Sequence, residues 1–91
     1  MDIKKLKHAI TLRDEGSFGR AATRLHLSQS ALTRSIQALE NELGLQLFDR
    51  HPNGVWVTAS GKTILSRAQD ILRAVNGLSR EAELIRDSKQ G

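Results

Sequence analysis

The chain has no cysteine, no tyrosine, one proline and only three aromatic residues among its 91, Phe18, Phe48 and Trp56. Without cysteine there is no disulfide scaffold, no thiolate zinc site and no cysteine nucleophile. With so few aromatics, the core must be built mainly from Leu, Ile, Val and Ala. No apolar run approaches the roughly 20 residues that cross a bilayer, so no membrane partner is expected. Charges interrupt the opening MDIKKLKHAI, so no signal peptide is expected either. Repeats, low-complexity tracts and Gly/Ser linkers are also missing. The length suits one domain of ordinary size. A globule this small buries only a little over about 60% of its unfolded surface, so its core is modest.

A further absence is local. Fourteen Lys and Arg against ten Asp and Glu give a net charge of +4, which by itself points only weakly to a polyanion. The distribution says more. Between Glu15 and Glu40 there is no acidic residue, yet Arg20, Arg24 and Arg34 all lie there. A solvated helical face is one reading. A surface that approaches phosphates, where any carboxylate would repel, is the stronger one.

Apolar periodicity places four helices. Residues 2–15 carry Ile3, Leu6 and Ile10 on one face, with Gly16 as a stop. Ser17 suits the N-cap of a short second helix, whose stripe is Phe18, Ala21, Ala22 and Leu25. The paired alanines allow a crossing helix to come close. After a tight His26-Leu27 connection, Ser28 caps a third helix from Gln29 to about Leu43, ended by Gly44. Leu32, Ile36, Leu39 and Leu43 make its apolar face. Gln29, Ser30, Thr33, Arg34 and Gln37 make the opposite face, polar and free of acids.

Two helices joined by a tight turn, the second with such a face, form a helix-turn-helix, whose second helix enters the major groove. Two short strands follow, near Leu47–Arg50 and Val55–Val57, around the turn residues His51-Pro52-Asn53-Gly54. They read as a wing, with an irregular loop as the alternative. Trp56 reads as a packing residue of that wing, with a base-stacking platform as the alternative. Thr58 caps a last helix, from Ala59 to about Asp87. Its apolar residues Ile64, Ala68, Ile71, Val75, Leu78, Ala82 and Ile85 recur at spacings of 4, 3, 4, 3, 4 and 3. Leu65 and Leu72 widen the first half. At 1.5 Å per residue this helix is on the order of 40 Å long, more than residues 1–58 can cover. Part of the seam therefore meets a second copy or another domain, and a homodimer is the better reading. Gly77 weakens the helix by up to about 1 kcal/mol relative to Ala.

The stretches GSFGRAATRLHLSQSALTRSIQALENELGLQLFDR at 16–50 and VTASGK at 57–62 resemble the N-terminal DNA-binding region of LysR-type transcriptional regulators. The resemblance covers nearly the whole chain. It implies a mainly α fold, with a winged helix-turn-helix domain over 1–58 and a dimerising linker helix over 59–91. It also implies an effector-binding domain beyond Gly91, so a small-molecule effector would act only through that part. A homodimer on an interrupted inverted repeat, cytoplasmic and nucleoid-associated, is the implied setting.

Carried over by position, Ser28 and Gln29 open the recognition helix, and Gln29 reaches base edges. Thr33 stands where serine is usual, and its hydroxyl can still serve. Arg34 suits bidentate contact with guanine or phosphate. Ser30 stands where the family often has proline, so an apolar contact to a thymine methyl does not carry over. Arg50, closing LFDR, matches the arginine at the base of the wing, near phosphate; pairing with Glu40, Glu42 or Asp49 is the alternative. Ser17, Arg20 and Gln37 complete the DNA-facing set. Ala9 replaces the usual aromatic in the first helix, a change to the core.

Other functions fit less well. No G-x-S-x-G, H-E-x-x-H, phosphate-binding glycine loop or dinucleotide fingerprint is present, so neither catalysis nor a cofactor is expected. His8, His26 and His51 lack metal-ligand spacing, so no metal is expected. RNA binding favours exposed aromatics for stacking, and there are almost none. A dimerisation module without DNA readout would explain the seam and leave the acid-free face of residues 29–37 unexplained.

Overall fold

A computed structural model describes residues 1–90 as four helices and one hairpin, in the order α1 (Ile3–Glu15), α2 (Phe18–Leu25), α3 (Gln29–Leu43), β1 (Phe48–His51), β2 (Gly54–Val57) and α4 (Ala59–Gln90). Gly91, the last residue assigned to the linker helix, lies outside the described residues.

Each helix begins where a short polar side chain can cap it. Asp2 accepts from the Lys5 N–H at 2.8 Å, Ser17 from Arg20 at 3.2 Å, and Ser28 from Ala31 at 3.1 Å. Thr58 does the same for Gly61 at 2.9 Å. Such caps satisfy amide donors that the first helical turn leaves open. Asp2 is thus a cap, one residue outside the helix that the sequence pattern started there. α1 and α3 end on left-handed Gly16 and Gly44, and α2 ends on His26, left-handed although it is not a glycine.

α1, α2 and α3 pack around one aliphatic core. Leu6, Ala9, Ile10 and Leu12 come from α1, Ala21 and Ala22 from α2, and Leu32, Ile36 and Leu39 from α3. Phe18, Leu25 and Leu43 are half-buried against it. Ala9 is wholly enclosed, so the missing aromatic is a change to the core. Ile3 departs from the sequence reading: it sits in the first turn of α1 and stays exposed, and the buried stripe begins at Leu6.

The hairpin forms as expected, though tighter. His51 pairs with Gly54, and only Pro52 and Asn53 turn. The strand residues therefore run from Phe48 to His51 and from Gly54 to Val57. Gly54 adopts φ +142°, and a Cβ there would stand 2.9 Å from the Gly16 carbonyl oxygen. That close approach lets the Val55 N–H donate to the same oxygen at 3.0 Å. The wing is thereby seated on the turn between α1 and α2.

α4 leaves the wing through a tight corner. The Thr58 N–H donates to the Leu47 carbonyl at 2.9 Å, and the Thr58 hydroxyl donates to the Gln46 carbonyl at 2.7 Å. Gly61 faces the Leu47 carbonyl so closely that any Cβ would collide with it, and would also stand 2.8 Å from Val57 Cγ1. From there Leu65 and Ala68 complete the core, with Ile64 and Leu72 at its edge. The heptad seam therefore divides. Ala68, expected at a dimer interface, is covered by its own globule, and Ile64 is half-covered. Beyond Leu72 the helix projects alone, giving the molecule dimensions of 55 × 25 × 19 Å. Val75, Leu78 and Ile85 are exposed there, Leu78 to 70%, as is Ile71 just before it.

Candidate nucleic-acid interface

The polar face of α3 stands clear of the core because Leu32, Ile36 and Leu39 face inward and leave the opposite side to solvent. Ser28, Gln29, Ser30, Arg34 and Gln37 are exposed, and Thr33 is half-exposed. Ser28 Oγ lies 3.3 Å from Ser30 Oγ while capping the helix. From behind, the His8 ring Nδ1 meets Ser35 Oγ at 2.7 Å and ties α3 to α1. Burial, reinforced by the charge of Lys4, pushes the His8 imidazole below its ordinary value, so the neutral ring is favoured at this joint.

Two grooves flank that face. One, of about 460 Å³, runs between the start of α2 and the wing, and brings Ser17, Arg20, Gln29 and Arg50 together with His51 and Asn53. The other, of about 320 Å³, holds Gln37, Gln46 and Glu40, with Phe18 and Arg50. Arg50 and Phe18 line both grooves. The Arg50 guanidinium covers the Phe18 ring, its Cζ 4.2 Å from the ring centroid. This cation–π contact leaves the arginine donors free at their edges. Neither Arg50 nor Arg34 has an acid partner among the described residues.

The acids named as alternatives for Arg50 are occupied elsewhere. Glu42 pairs with Lys5 at 2.7 Å and with the Met1 amino group. Asp49 Oδ1 accepts from Gln46 at 3.0 Å, and Glu40 accepts from two backbone amides.

The arginines of α2 fare differently. Arg20 donates to the Glu15 carbonyl at 2.6 Å and lies 3.8 Å from its carboxylate, and Arg24 pairs with that carboxylate at 3.0 Å. Two of the three arginines in the acid-free stretch thus share Glu15, which flanks the stretch and is carried back by the α1–α2 turn. Distance along the chain concealed this pairing. Trp56 packs edge-on against His51, ring centroids 4.1 Å apart, yet remains 53% exposed on the outer side of the wing.

Three residues that matter here left little trace in the sequence. Phe18 and Glu40 act through partners distant in the chain, and Gly61 through the space it leaves empty. For Gly61, the VTASGK stretch was the one visible signal.

Comparison with known proteins agrees with this geometry. Residues 3–62 match the model of the bacterial regulatory helix-turn-helix proteins of the lysR family. The HTH-type transcriptional regulator TfdT of Cupriavidus pinatubonensis is 42% identical over the whole chain, which spans 40% of that relative. ClcR of Pseudomonas putida is 47% identical over 79% of the chain and 24% of its own length. The chain therefore spans well under half the length of these relatives. Among solved structures, the BenM DBD in complex with catB site 1 DNA superposes with a TM-score of 0.92 at 32% identity, over 97% of this chain and 95% of that one. Full-length CbnR complexed with its target DNA gives 0.86 at 36% identity, over 91% of this chain and 29% of that one.

Proposed function

Because the chain belongs to the lysR family of bacterial regulatory helix-turn-helix proteins and forms a DNA-binding domain of that family, we propose that it reads operator DNA as a homodimer. Residues 1–58 form the reading head and α4 the dimerising helix. α3 enters the major groove, where Gln29, Thr33 and Arg34 reach base edges. Ser17, Ser28, Ser30, Gln37 and Arg50 face the backbone and fix the register. Arg20 contributes once its hold on Glu15 loosens against phosphate.

Two copies joined through Ile71, Val75, Leu78, Ala82 and Ile85 present two such heads to an interrupted inverted repeat, with Ile64 at the rim. The activity is binding without catalysis, and the setting is the cytoplasm at the nucleoid. A small-molecule effector would act through a further domain of the full-length protein.

One observation carries this reading. The acid-free polar face of α3 stands exposed beside grooves lined by Arg50, which has no acid partner among the described residues. Gel shifts across a salt series test it, on a duplex selected from random sequence and on an unselected one. Binding should weaken steeply with salt on both, with the selected duplex held tighter throughout. Absence of salt-sensitive binding would defeat the proposal.

A further inference from the structure

Glu40 is the first acid after the acid-free stretch, and its carboxylate is committed to the main chain of the wing. Its Oε2 accepts from the Leu47 N–H at 2.6 Å and from the Phe48 N–H at 3.2 Å. A charged acceptor shared by two amides is a strong tether. It joins the recognition helix to the first residue of β1.

Phe48 and Arg50 lie two apart on that strand, so their side chains leave it on the same side. Phe48 enters the core, and Arg50 reaches the Phe18 ring. Where the amide of Phe48 is held therefore decides where Arg50 stands.

Two main-chain hydrogen bonds also fasten the wing, the Val55 N–H on the Gly16 carbonyl and the Thr58 N–H on the Leu47 carbonyl. Both are made by backbone alone. Among these three, only the Glu40 tether depends on a side chain, and only it reaches α3. We propose that Glu40 is a positioning residue for DNA binding, which sets the place of Arg50 by pinning the start of the wing to the recognition helix. The inference rests on the DNA-binding reading above.

A double-mutant cycle on the selected duplex tests it. The wild-type chain is measured first: failure to bind there overturns the functional reading itself, before any variant is compared. With binding in hand, Glu40→Ala and Arg50→Ala should each weaken affinity by on the order of tenfold. The double variant should be no weaker than Arg50→Ala alone, because Glu40 acts through Arg50. Glu40→Gln, which keeps a carbonyl acceptor of the same reach, should recover most of the loss. A thermal melt checks that each variant is folded. If Glu40→Ala is not, Glu40→Asp, one methylene too short for the amides, carries the same cycle. Wild-type affinity in Glu40→Ala, or losses that multiply in the double variant, would overturn the proposal.

Discussion

The guanidinium of Arg50 rests on the ring of Phe18, 4.2 Å from its centroid, and so joins the wing to the first residue of the short helix. The ring offers a flat, apolar platform on which a planar cation keeps its hydrogen-bonding edges outward. Replacing Phe18 by leucine keeps the apolar packing and removes the platform. The contact is worth about 0.5–1 kcal/mol at a partly exposed site. Phe18→Leu should therefore lower affinity for DNA about two- to fivefold, with little change in melting temperature, as fluorescence anisotropy on a labelled duplex would report. Unchanged affinity would show that Arg50 works without the ring.

Arg34 lies on the exposed face of α3 with no acid partner among the described residues. Arg34→Ala should weaken binding to a selected site by about 1–3 kcal/mol and flatten discrimination between sites. Competition gel shifts with selected and random duplexes measure both effects. An equal loss on the two would make Arg34 a phosphate contact.

The projecting half of α4 should hold the dimer. Leu78 is 70% exposed in the single chain, so Leu78→Asp costs the protomer fold little while placing a charge in the shared seam. Sedimentation should show dimer for the wild type and monomer for the variant, with loss of tight DNA binding. A variant that still sediments as a dimer would remove this surface from the interface. Gly77 beside it has nothing within 4 Å of where a Cβ would stand, and nothing in the structure explains it.

Acid should release the tie between α1 and the end of α3. The Lys5 ammonium, and after it the Met1 amino group, hold the Glu42 carboxyl at about 2 against an ordinary 4.5. A depressed carboxyl contributes stability that is present above the ordinary value and lost as pH falls toward the folded one. The difference in melting temperature between wild type and Glu42→Gln should therefore be constant from about pH 5 to neutrality and shrink toward pH 2. Because the pair is exposed, the difference should be small and should diminish further with salt. A difference that persists at pH 2 would contradict this.

Local chemistry made most of the fold legible. Ser17, Ser28 and Thr58 announce three helix starts, Gly16 and Gly44 two stops, and the stripe of α3 its buried face. The short turn of the hairpin was harder, because His51 and Gly54 suit either a turn or its flanking pair, and the ladder decided it. The Arg50–Phe18 stack and the Glu40 tether were hidden by their span along the chain. The periodicity of α4 was visible, but it could not tell which apolar residues its own globule would claim. Ala68 went to the core and Leu78 to solvent because the core ends near Leu72.

Gly61 has one more mechanical consequence. With the first turn of α4 pressed on the Leu47 carbonyl, and with Leu65 and Ala68 buried below it, the helix is held at its root. Head and shaft then behave as a lever of fixed angle. The shaft beyond Leu72 is roughly 27 Å long at 1.5 Å per residue. A tilt of the shaft would then be passed on toward the head rather than taken up at the corner.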